Sequence, residues 1–297
     1  MEADLGYDFK DYGVLLKKAF AAAYDNELPK DFELCYEYEL DSTNEEVKRR
    51  ADKGAKEGLV VVASTQNSGQ GRSGRKFYSP DCSGLYMTML LRPKDEEIFK
   101  YITVMAAVSA AEAVNDLMPM KKGAGIKWVN DIYIDSKKVG GIIARAQNYG
   151  RDDMYVILGI GINVFGIKDV PDEIKDVYAS IFPCDYCFHE DRKEKSQACP
   201  GEEFYRQLND VMPKGICASL AAGIYLRFFD FYLGHRCDYK DRYRELSCVI
   251  GKNVYYEAGD DIRELFVEDI DEEGSLVAKD GDGVVRRFRD GEIRIKL

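Results

Sequence analysis

Glycines alternate with cationic side chains between residues 64 and 80, in the segment STQNSGQGRSGRKFYSP. Glycine permits positive φ angles and a close approach of the backbone to a ligand, and successive backbone N–H groups in such a loop form an anion-binding concavity. Arginine adds bidentate binding of phosphate or carboxylate oxygens. The glycines and cations are Gly69, Gly71, Gly74, Arg72, Arg75 and Lys76. In a chain of formal net charge -11, this pattern indicates either an exposed hairpin loop or a lid over an anionic ligand.

Polar residues also end the β-type run at residues 32–40, in the segment 41–44, which reads DSTN. Ser42 stands three residues before Glu45, which is the spacing of a capping box and predicts the start of a helix. We expect that helix to end at Gly54. Helix capping alone is a sufficient reason for a serine at this position, so the segment by itself does not identify a binding site.

A hairpin is predicted between residues 125 and 146, with its turn at the polar residues 135–137 that separate two β-rich runs. Side chains alternate along a strand, so Lys138, Gly140 and Ile142 are expected on one face. Glycines within a strand leave space for a ligand beside them. A further glycine-bearing run, GIGINV, covers residues 159–164.

The remaining pattern predicts the elements that position these segments. From residue 248 onward, five short strands joined by Gly/Asp turns predict a small barrel, so the chain divides into residues 1–247 and 248–297. Residues 1–33 predict a helical extension that is too short for a winged helix-turn-helix domain, and the polar residues 182–200 predict an inserted loop. Strands are expected at 32–40, 59–65, 85–91 and 155–164, and helices at 98–117 and 202–235.

Composition and charge restrict the class of protein. The 297 residues are 45% apolar, which suffices for one large domain with a core and one small domain. The acidic balance argues against nucleic acid as a general partner, since phosphate binding requires a basic face. No apolar run approaches the ~20 residues of a membrane span, and the N-terminal residues lack the pattern of a signal peptide. We therefore expect a cytoplasmic protein with reduced thiols and no membrane partner.

Five motifs, taken in order, resemble those of the biotin–protein ligases. They are STN at 42–44, Q-x-x-G-x-G-R-x-G-R-K-F-x-S-P at 66–80, K-W-x-N-D at 127–131, K-x-x-G-I at 138–142 and G-I-G-I-N-V at 159–164. The resemblance extends from residue 36 to about residue 167 and returns in the barrel at residues 291–293. Lipoate–protein ligases share the catalytic fold but lack the G-x-G-R-x-G-R loop in this form and the K-W-x-N-D motif, so they are the alternative.

The resemblance implies an α+β fold, in which a mixed-sheet catalytic domain of the biotin/lipoate ligase (class II synthetase-like) type is followed by a small SH3-like β-barrel. It also implies a two-step reaction with biotin, ATP and Mg²⁺. Biotin is first converted to biotinyl-5′-AMP and is then transferred to a lysine of a biotin carboxyl carrier protein, from acetyl-CoA carboxylase or another biotin-dependent carboxylase. The short N-terminal segment predicts no DNA binding, unlike the bifunctional repressor–ligases. Family members are often dimers, which leaves a monomer and a homodimer both open.

The resemblance further implies roles for residues at matching positions. The implied catalytic residues are Lys138, Arg72 and Asp131. The implied biotin-binding residues are Ser42, Thr43, Asn44, Gln66, Gly69, Gln70, Gly71, Arg72, Lys138, Gly140 and Gly141. The implied ATP- and adenylate-binding residues are Arg72, Arg75, Lys76, Phe77, Asn130, Lys138 and Asn163. No metal-ligating residue is implied.

Three positions depart from the family pattern. Gln70 stands where many members have arginine, Val129 replaces the usual proline of K-W-P-N-D, and Phe77 replaces the commoner tryptophan. None of these changes removes a catalytic group. A biotin-binding protein that has lost catalysis would be expected to lack Lys138 or the loop arginines, and this chain has both.

The predicted inserted loop contains residue types that bind zinc. Their spacing is irregular and the resemblance requires no metal there, which favours a surface loop over a zinc site. The residues concerned are Cys184, Cys187, His189 and Cys199.

Overall fold

A computed structural model of the chain describes residues 12–23, 31–81, 83–118, 123–151, 153–182, 202–258, 261–289 and 294–296. Its helices are α1 (Tyr12–Ala23), α2 (Thr43–Asp52), α3 (Glu96–Asp116), α4 (Glu202–Tyr232) and α5 (Tyr239–Glu245). The strands of the first part are β1 (Glu33–Leu40), β2 (Leu59–Gln66), β3 (Gly84–Leu91), β4 (Gly125–Lys127), β5 (Asp131–Ile134), β6 (Lys137–Gln147) and β7 (Tyr155–Asn163). Those of the second part are β8 (Asn253–Ala258), β9 (Asp261–Ile270), β10 (Leu276–Asp280), β11 (Val285–Phe288) and β12 (Arg294–Lys296).

A mixed sheet organises the first part of the chain. In the described residues it has seven strands in the order β1-β2-β3-β7-β6-β5-β4. The pair β1 and β2 is parallel, because α2 carries the chain across between them, and the following pairs are antiparallel. The predicted mixed-sheet α+β fold is therefore confirmed.

The two faces of this sheet are covered differently. Helices α1, α3 and α4 pack on one face, where strand residues such as Met87 and Leu158 join the main core. On the opposite face α2 covers only part of the sheet, where Val47 packs with Val61 and Leu90. On this opposite face, the part of the sheet formed by β6 and β7 is therefore not covered by α2, and it carries glycine and polar residues.

The N-terminus of α2 is capped as predicted, but the capping box is not formed. Ser42 is the N-cap, and its Oγ accepts a hydrogen bond from Asn44 N at 3.2 Å. The Ser42 N–H donates to Asp41 Oδ1 at 2.8 Å, and the Glu45 carboxylate instead accepts from Gln70 Nε2 at 2.9 Å. A contact from a distant loop thus replaces the local bond that the sequence pattern predicts.

The hairpin of β5 and β6 contains a β-bulge, which makes one predicted face assignment wrong. The register shifts between Ile132, which pairs with Gly140, and Tyr133, which pairs with Lys138. Because the bulge interrupts the alternation, Lys138 lies beside Gly141, where an added Cβ would be 3.1 Å from Lys138 Nζ. Gly140 instead faces the core, since a Cβ there would meet the side chains of Ile132 and an isoleucine of β7.

The C-terminal strands form a separate antiparallel sheet, of five strands in the described residues, in the order β11-β10-β9-β8-β12. This arrangement is consistent with the predicted small SH3-like domain, while the division of the chain at residue 247 stays a prediction. The first part touches this sheet through Trp128, whose indole N–H donates to Gly274 O at 3.0 Å. The predicted loop at 182–200, with its cysteines and histidine, lies outside the described residues apart from its first position.

A buried carboxylate on α3 is bound by arginines of α5 and of the turn between α4 and α5. The Glu112 side chain on α3 is only 13% exposed and accepts hydrogen bonds from Arg236 Nη1 and Arg242 Nε, both at 2.9 Å. Burial alone would raise the pKa of Glu112, but the two guanidiniums outweigh it and hold that pKa below its ordinary value.

Among the described residues, no helix combines the length and the apolar content needed to cross a membrane.

Candidate active site

Three glycines form the floor of the candidate site on the second face of the sheet. Gly141 of β6 pairs with Gly161 of β7, and Gly159 lies two residues before Gly161 on the same face. An added Cβ at Gly161 would lie 2.6 Å from ring atoms of Phe77, and one at Gly159 would overlap Asn44 Oδ1. The glycines are therefore required by the close approach of the side chains above them.

A cluster of paired polar groups occupies the α2 end of this floor. Thr43 N and Oγ1 donate to Gln66 Oε1 at 2.8 and 3.1 Å, and Gln66 Nε2 donates to Ser79 Oγ at 2.9 Å. Thr88 Oγ1 lies 2.8 Å from Asn44 Oδ1 and donates to it. Thr43 and Asn44 are 3% and 6% exposed. Buried polar groups of this kind cost free energy unless paired, so the pairing fixes the direction of each donor and acceptor.

The segment from residue 64 to residue 80 folds back on itself above the floor. Gln66 and Ser79 form a backbone bridge, and Phe77 N donates to Gly69 O at 2.9 Å. A short 3₁₀ turn at Arg72–Gly74 makes the tip, where Gly74 has a φ of 71°. This positive φ favours glycine. The segment is therefore a closed hairpin loop, whose second half returns the Phe77 ring to the sheet.

Charged and amide groups lie at the β5–β6 end of the floor. Arg72 Nη1 donates to Asn130 Oδ1 at 2.8 Å, and Lys138 Nζ lies 2.6 Å from Asp131 Oδ1. Asn130 is held in turn by Ile142, whose backbone N–H donates to Asn130 O at 2.9 Å. The Lys138 and Asp131 side chains are 31% and 26% exposed. The structure thus brings together four residues that come from the loop, the K-W-x-N-D motif and β6.

Other predicted site residues lie in less central places. Arg75 and Lys76 are exposed on the loop, and Gly140 faces the core as described above. Asn163, at the end of β7, donates through Nδ2 to Ala179 O at 3.0 Å. Ser42 is 1% exposed and its hydroxyl is used by the helix cap.

Two partly buried groups near Asp131 have shifted pKa values. Burial lowers the pKa of Lys127, although the nearby Asp131 carboxylate opposes this shift. Burial likewise raises the pKa of Tyr133, whose hydroxyl accepts from Lys127 Nζ at 3.2 Å. These shifts arise from the burial of Lys127 and Tyr133 themselves, whereas Lys138 and Asp131 keep access to water.

Four residues that contact the predicted site residues are absent from the sequence-based assignment. Thr88 and Ser79 complete the polar cluster, and a polar residue within the apolar run LYMTMLL was the available signal for Thr88. Glu45 and Arg145 contact Gln70 from α2 and β6. A charged residue within the apolar run GGIIARA was the available signal for Arg145, but no local pattern indicates that Glu45 and Arg145 meet Gln70, because these contacts join segments that are distant in the chain.

Comparison with known proteins shows a similarity over the part of the chain that contains this site. The model of the Biotin/lipoate A/B protein ligase family matches residues 36–163. The bifunctional ligase/repressor BirA of Bacillus subtilis is 37% identical over 151 residues, which is 50% of this chain and 46% of that protein. The biotin–[acetyl-CoA-carboxylase] ligase of Paracoccus denitrificans is 31% identical over 130 residues, covering 43% and 53% of the two chains. The chain thus spans about half the length of the curated relatives it matches.

Solved structures extend the likeness over most of the fold. The biotin protein ligase from Aquifex aeolicus in complex with biotin and ATP has a TM-score of 0.62 at 25% identity, covering 89% of this chain and 98% of that one. The matched sequence region, residues 36–163, contains the glycine floor, the polar cluster, the loop and the Lys138–Asp131 pair. Through residues 36–163 the chain is similar to the Biotin/lipoate A/B protein ligase family.

Proposed function

We propose that the protein is a biotin–protein ligase, which converts biotin and MgATP to biotinyl-5′-AMP and then transfers biotin to a lysine of a biotin carboxyl carrier protein. The observation that carries the proposal is the arrangement above the glycine floor. A paired polar cluster lies at one end, Lys138 and Arg72 lie at the other, and the aromatic ring of Phe77 lies over Gly161. The named relatives and the structure with biotin and ATP support the same activity.

The first step joins two anions, so their repulsion has to be cancelled. A biotin carboxylate oxygen attacks the α-phosphorus of ATP, the bond to the bridging oxygen of the β-phosphate breaks, and pyrophosphate leaves. Lys138 and Arg72 supply positive charge at fixed positions, because Asp131 and Asn130 hold them. Preorganised charge of this kind stabilises the transition state without reorganisation during the reaction.

The second step transfers biotin to the carrier. The neutral amine of the acceptor lysine attacks the carbonyl carbon of the mixed anhydride and loses a proton to solvent, an amide bond forms, and AMP leaves with the electron pair of the broken C–O bond. Negative charge develops on the carbonyl oxygen, where Lys138 can stabilise it. Asp131 keeps Lys138 in place and is the carboxylate at this end of the site. We therefore assign Lys138, Arg72 and Asp131 to the reaction.

The polar cluster is proposed to bind the ureido ring of biotin. Such a neutral group requires both donors and acceptors, and an unpaired polar group in a buried pocket costs about 1–3 kcal/mol. Thr43, Asn44 and Gln66 present these groups, while Ser42 contributes through the helix cap that fixes α2. The loop residues Gly69, Gln70 and Gly71, together with Gly141, are proposed to line the valeryl chain and carboxylate.

The adenine of the adenylate is proposed to lie against the Phe77 ring. An aromatic ring above a glycine provides a flat surface for a nucleobase, and Asn130 and Asn163 provide amide groups for adenine or ribose. Arg75 and Lys76 are exposed on the loop and are proposed to meet the phosphates.

Magnesium is proposed as the ion that accompanies the triphosphate. Within the described residues, no group of three or more His, Cys, Asp or Glu side chains could hold a metal ion. Mg²⁺ is commonly bound through substrate phosphates and water with one or two carboxylates. The ion supplies charge neutralisation of the phosphates when bound.

The carrier protein is proposed as the partner because relatives are named for acetyl-CoA carboxylase. The absence of DNA binding, the cytoplasmic location and the choice between a monomer and a homodimer stay predictions.

Transfer of labelled biotin to a purified carrier domain with ATP tests the proposal. We expect label on the carrier lysine that requires ATP and is lost when that lysine is replaced by arginine. The family model covers biotin and lipoate ligases, so labelled lipoate is the matched comparison. Transfer of lipoate in place of biotin would refute the proposal and favour a lipoate–protein ligase.

A further inference from the structure

Arg145 is a charged side chain in an apolar run, GGIIARA at residues 140–146 of β6. It lies four residues after Gly141, on the same face of the strand, and reaches the loop above the floor. Its Nη1 donates to Gln70 Oε1, and its Nη2 donates to Gly71 O at 3.3 Å. The guanidinium therefore binds both a side chain and the backbone of the glycine-rich loop.

Gln70 extends this contact to α2. Its Nε2 donates to Glu45 Oε1 at 2.9 Å, while its Oε1 accepts from Arg145. An amide can accept from a cation and donate to an anion at the same time. A carboxylate at this position would repel Glu45, and a guanidinium would repel Arg145. The three side chains thus form one chain of hydrogen bonds from β6 through the loop to α2.

We propose that Arg145 is a positioning residue that holds the loop closed over the site through Gln70 and Gly71. The next residue after Gly71 is Arg72, whose side chain donates to Asn130. A fixed Gly71 backbone therefore also fixes the position from which Arg72 reaches Asn130. The consequence for the reaction rests on the proposed function: a closed loop slows the release of biotinyl-5′-AMP before transfer.

The contact with Arg145 gives a physical reason for the departure of Gln70 from the family pattern. In this chain the cation that contacts the loop at this point comes from Arg145 on β6. An arginine at position 70 would place two guanidiniums beside each other. Gln70 keeps the link neutral, and Glu45 and Arg145 supply the charges at its two ends.

Hydrogen exchange of the full-length, ligand-free protein tests the position of the loop. Two loop amides are bonded within the loop, Gly71 N to Arg75 O at 2.7 Å and Phe77 N to Gly69 O at 2.9 Å. Arg145→Ala is expected to speed their exchange about tenfold, the factor for one lost hydrogen bond to a charged group. Arg151→Ala, which removes an exposed arginine in the turn after β6, is the matched control and is expected to leave them unchanged. Wild-type exchange in Arg145→Ala would overturn the proposal.

Charge reversal separates positioning from a general loss of stability. Gln70→Arg is expected to release biotinyl-5′-AMP about tenfold faster than the wild type, as is Arg145→Ala. In the double variant Gln70→Arg, Arg145→Glu an opposite-charge pair replaces the like-charge pair, while the bond to Gly71 O stays absent, so release is expected to be slower than in Gln70→Arg alone. A double variant as fast as Gln70→Arg alone would overturn the proposal. If the wild type forms no adenylate, the proposed function fails, while the exchange experiment still decides whether Arg145 positions the loop.

Discussion

Replacement of Lys138 by alanine separates the catalytic use of this side chain from its structural use. The Lys138–Asp131 pair is short, at 2.6 Å, but both side chains retain 31% and 26% of their exposure. Ion pairs with this access to water contribute about 1 kcal/mol or less to stability. Without its partner, Asp131 remains hydrated, so we expect Lys138→Ala to lower the free energy of unfolding by no more than this amount.

The expected effect on the reaction is much larger. Lys138 stands beside Gly141 on the floor, where an added Cβ would be 3.1 Å from Nζ, and the proposed mechanism has charge develop beside it in both steps. Removal of one preorganised electrostatic group commonly lowers kcat by about 10²- to 10³-fold. We expect a loss of this size in the formation of biotinyl-5′-AMP, and a second loss in transfer from supplied biotinyl-5′-AMP to the carrier.

The assay measures the two steps separately, and urea unfolding is measured on the same preparations. Lys137→Ala is the matched control, because Lys137 is the exposed neighbour of Lys138 at the start of β6. It is expected to keep wild-type rates in both steps. Near-wild-type adenylate formation in Lys138→Ala would refute the assignment of this lysine, and a loss confined to unfolding free energy would leave Lys138 with a structural role only.

Three further changes test other parts of the structure. Gly161→Ala places a Cβ 2.6 Å from the Phe77 ring, so the ring has to move; we expect the KM for ATP to rise about tenfold, a 1.4 kcal/mol loss, with biotin binding by calorimetry little changed. Trp128→Phe removes the hydrogen bond to Gly274 O and is expected to lower the free energy of unfolding in urea by about 1 kcal/mol. The pKa of Glu112 is lowered in the folded state, so in acid the unfolded state binds more protons than the folded state. The ionised Glu112 carboxylate therefore stabilises the fold above its ordinary pKa of 4.5, and this stabilisation is lost as the pH falls below that value. In urea unfolding from pH 6 to pH 3, we expect the free energy of unfolding to fall less steeply in Glu112→Gln than in the wild type.

The order of elements could be predicted from the sequence because it depends on local patterns, whereas the roles of the site residues stay predictions. Apolar β-type runs predicted β2, β3 and β7, and the spaced motifs contain the glycines that line the floor. The face of Lys138 could not be predicted in this way. One extra residue in β6 shifts the register between Ile132 and Tyr133, and a bulge leaves the apolar pattern of the strand almost unchanged.

The hydrogen-bond partners of the motif residues are harder to predict than the motif residues themselves, as the N-terminus of α2 shows. The local spacing correctly indicated Ser42 as the N-cap, yet Glu45 is bound by Gln70 from a separate segment. The same amide is bound by Arg145, which comes from the opposite side of the floor. A motif shows which side chain stands at one position. The charged group that contacts this side chain depends on how strands from different parts of the chain are paired. Gln70 therefore departs from the family pattern at the position where this chain supplies the cation from β6, and the two positions have to be interpreted together.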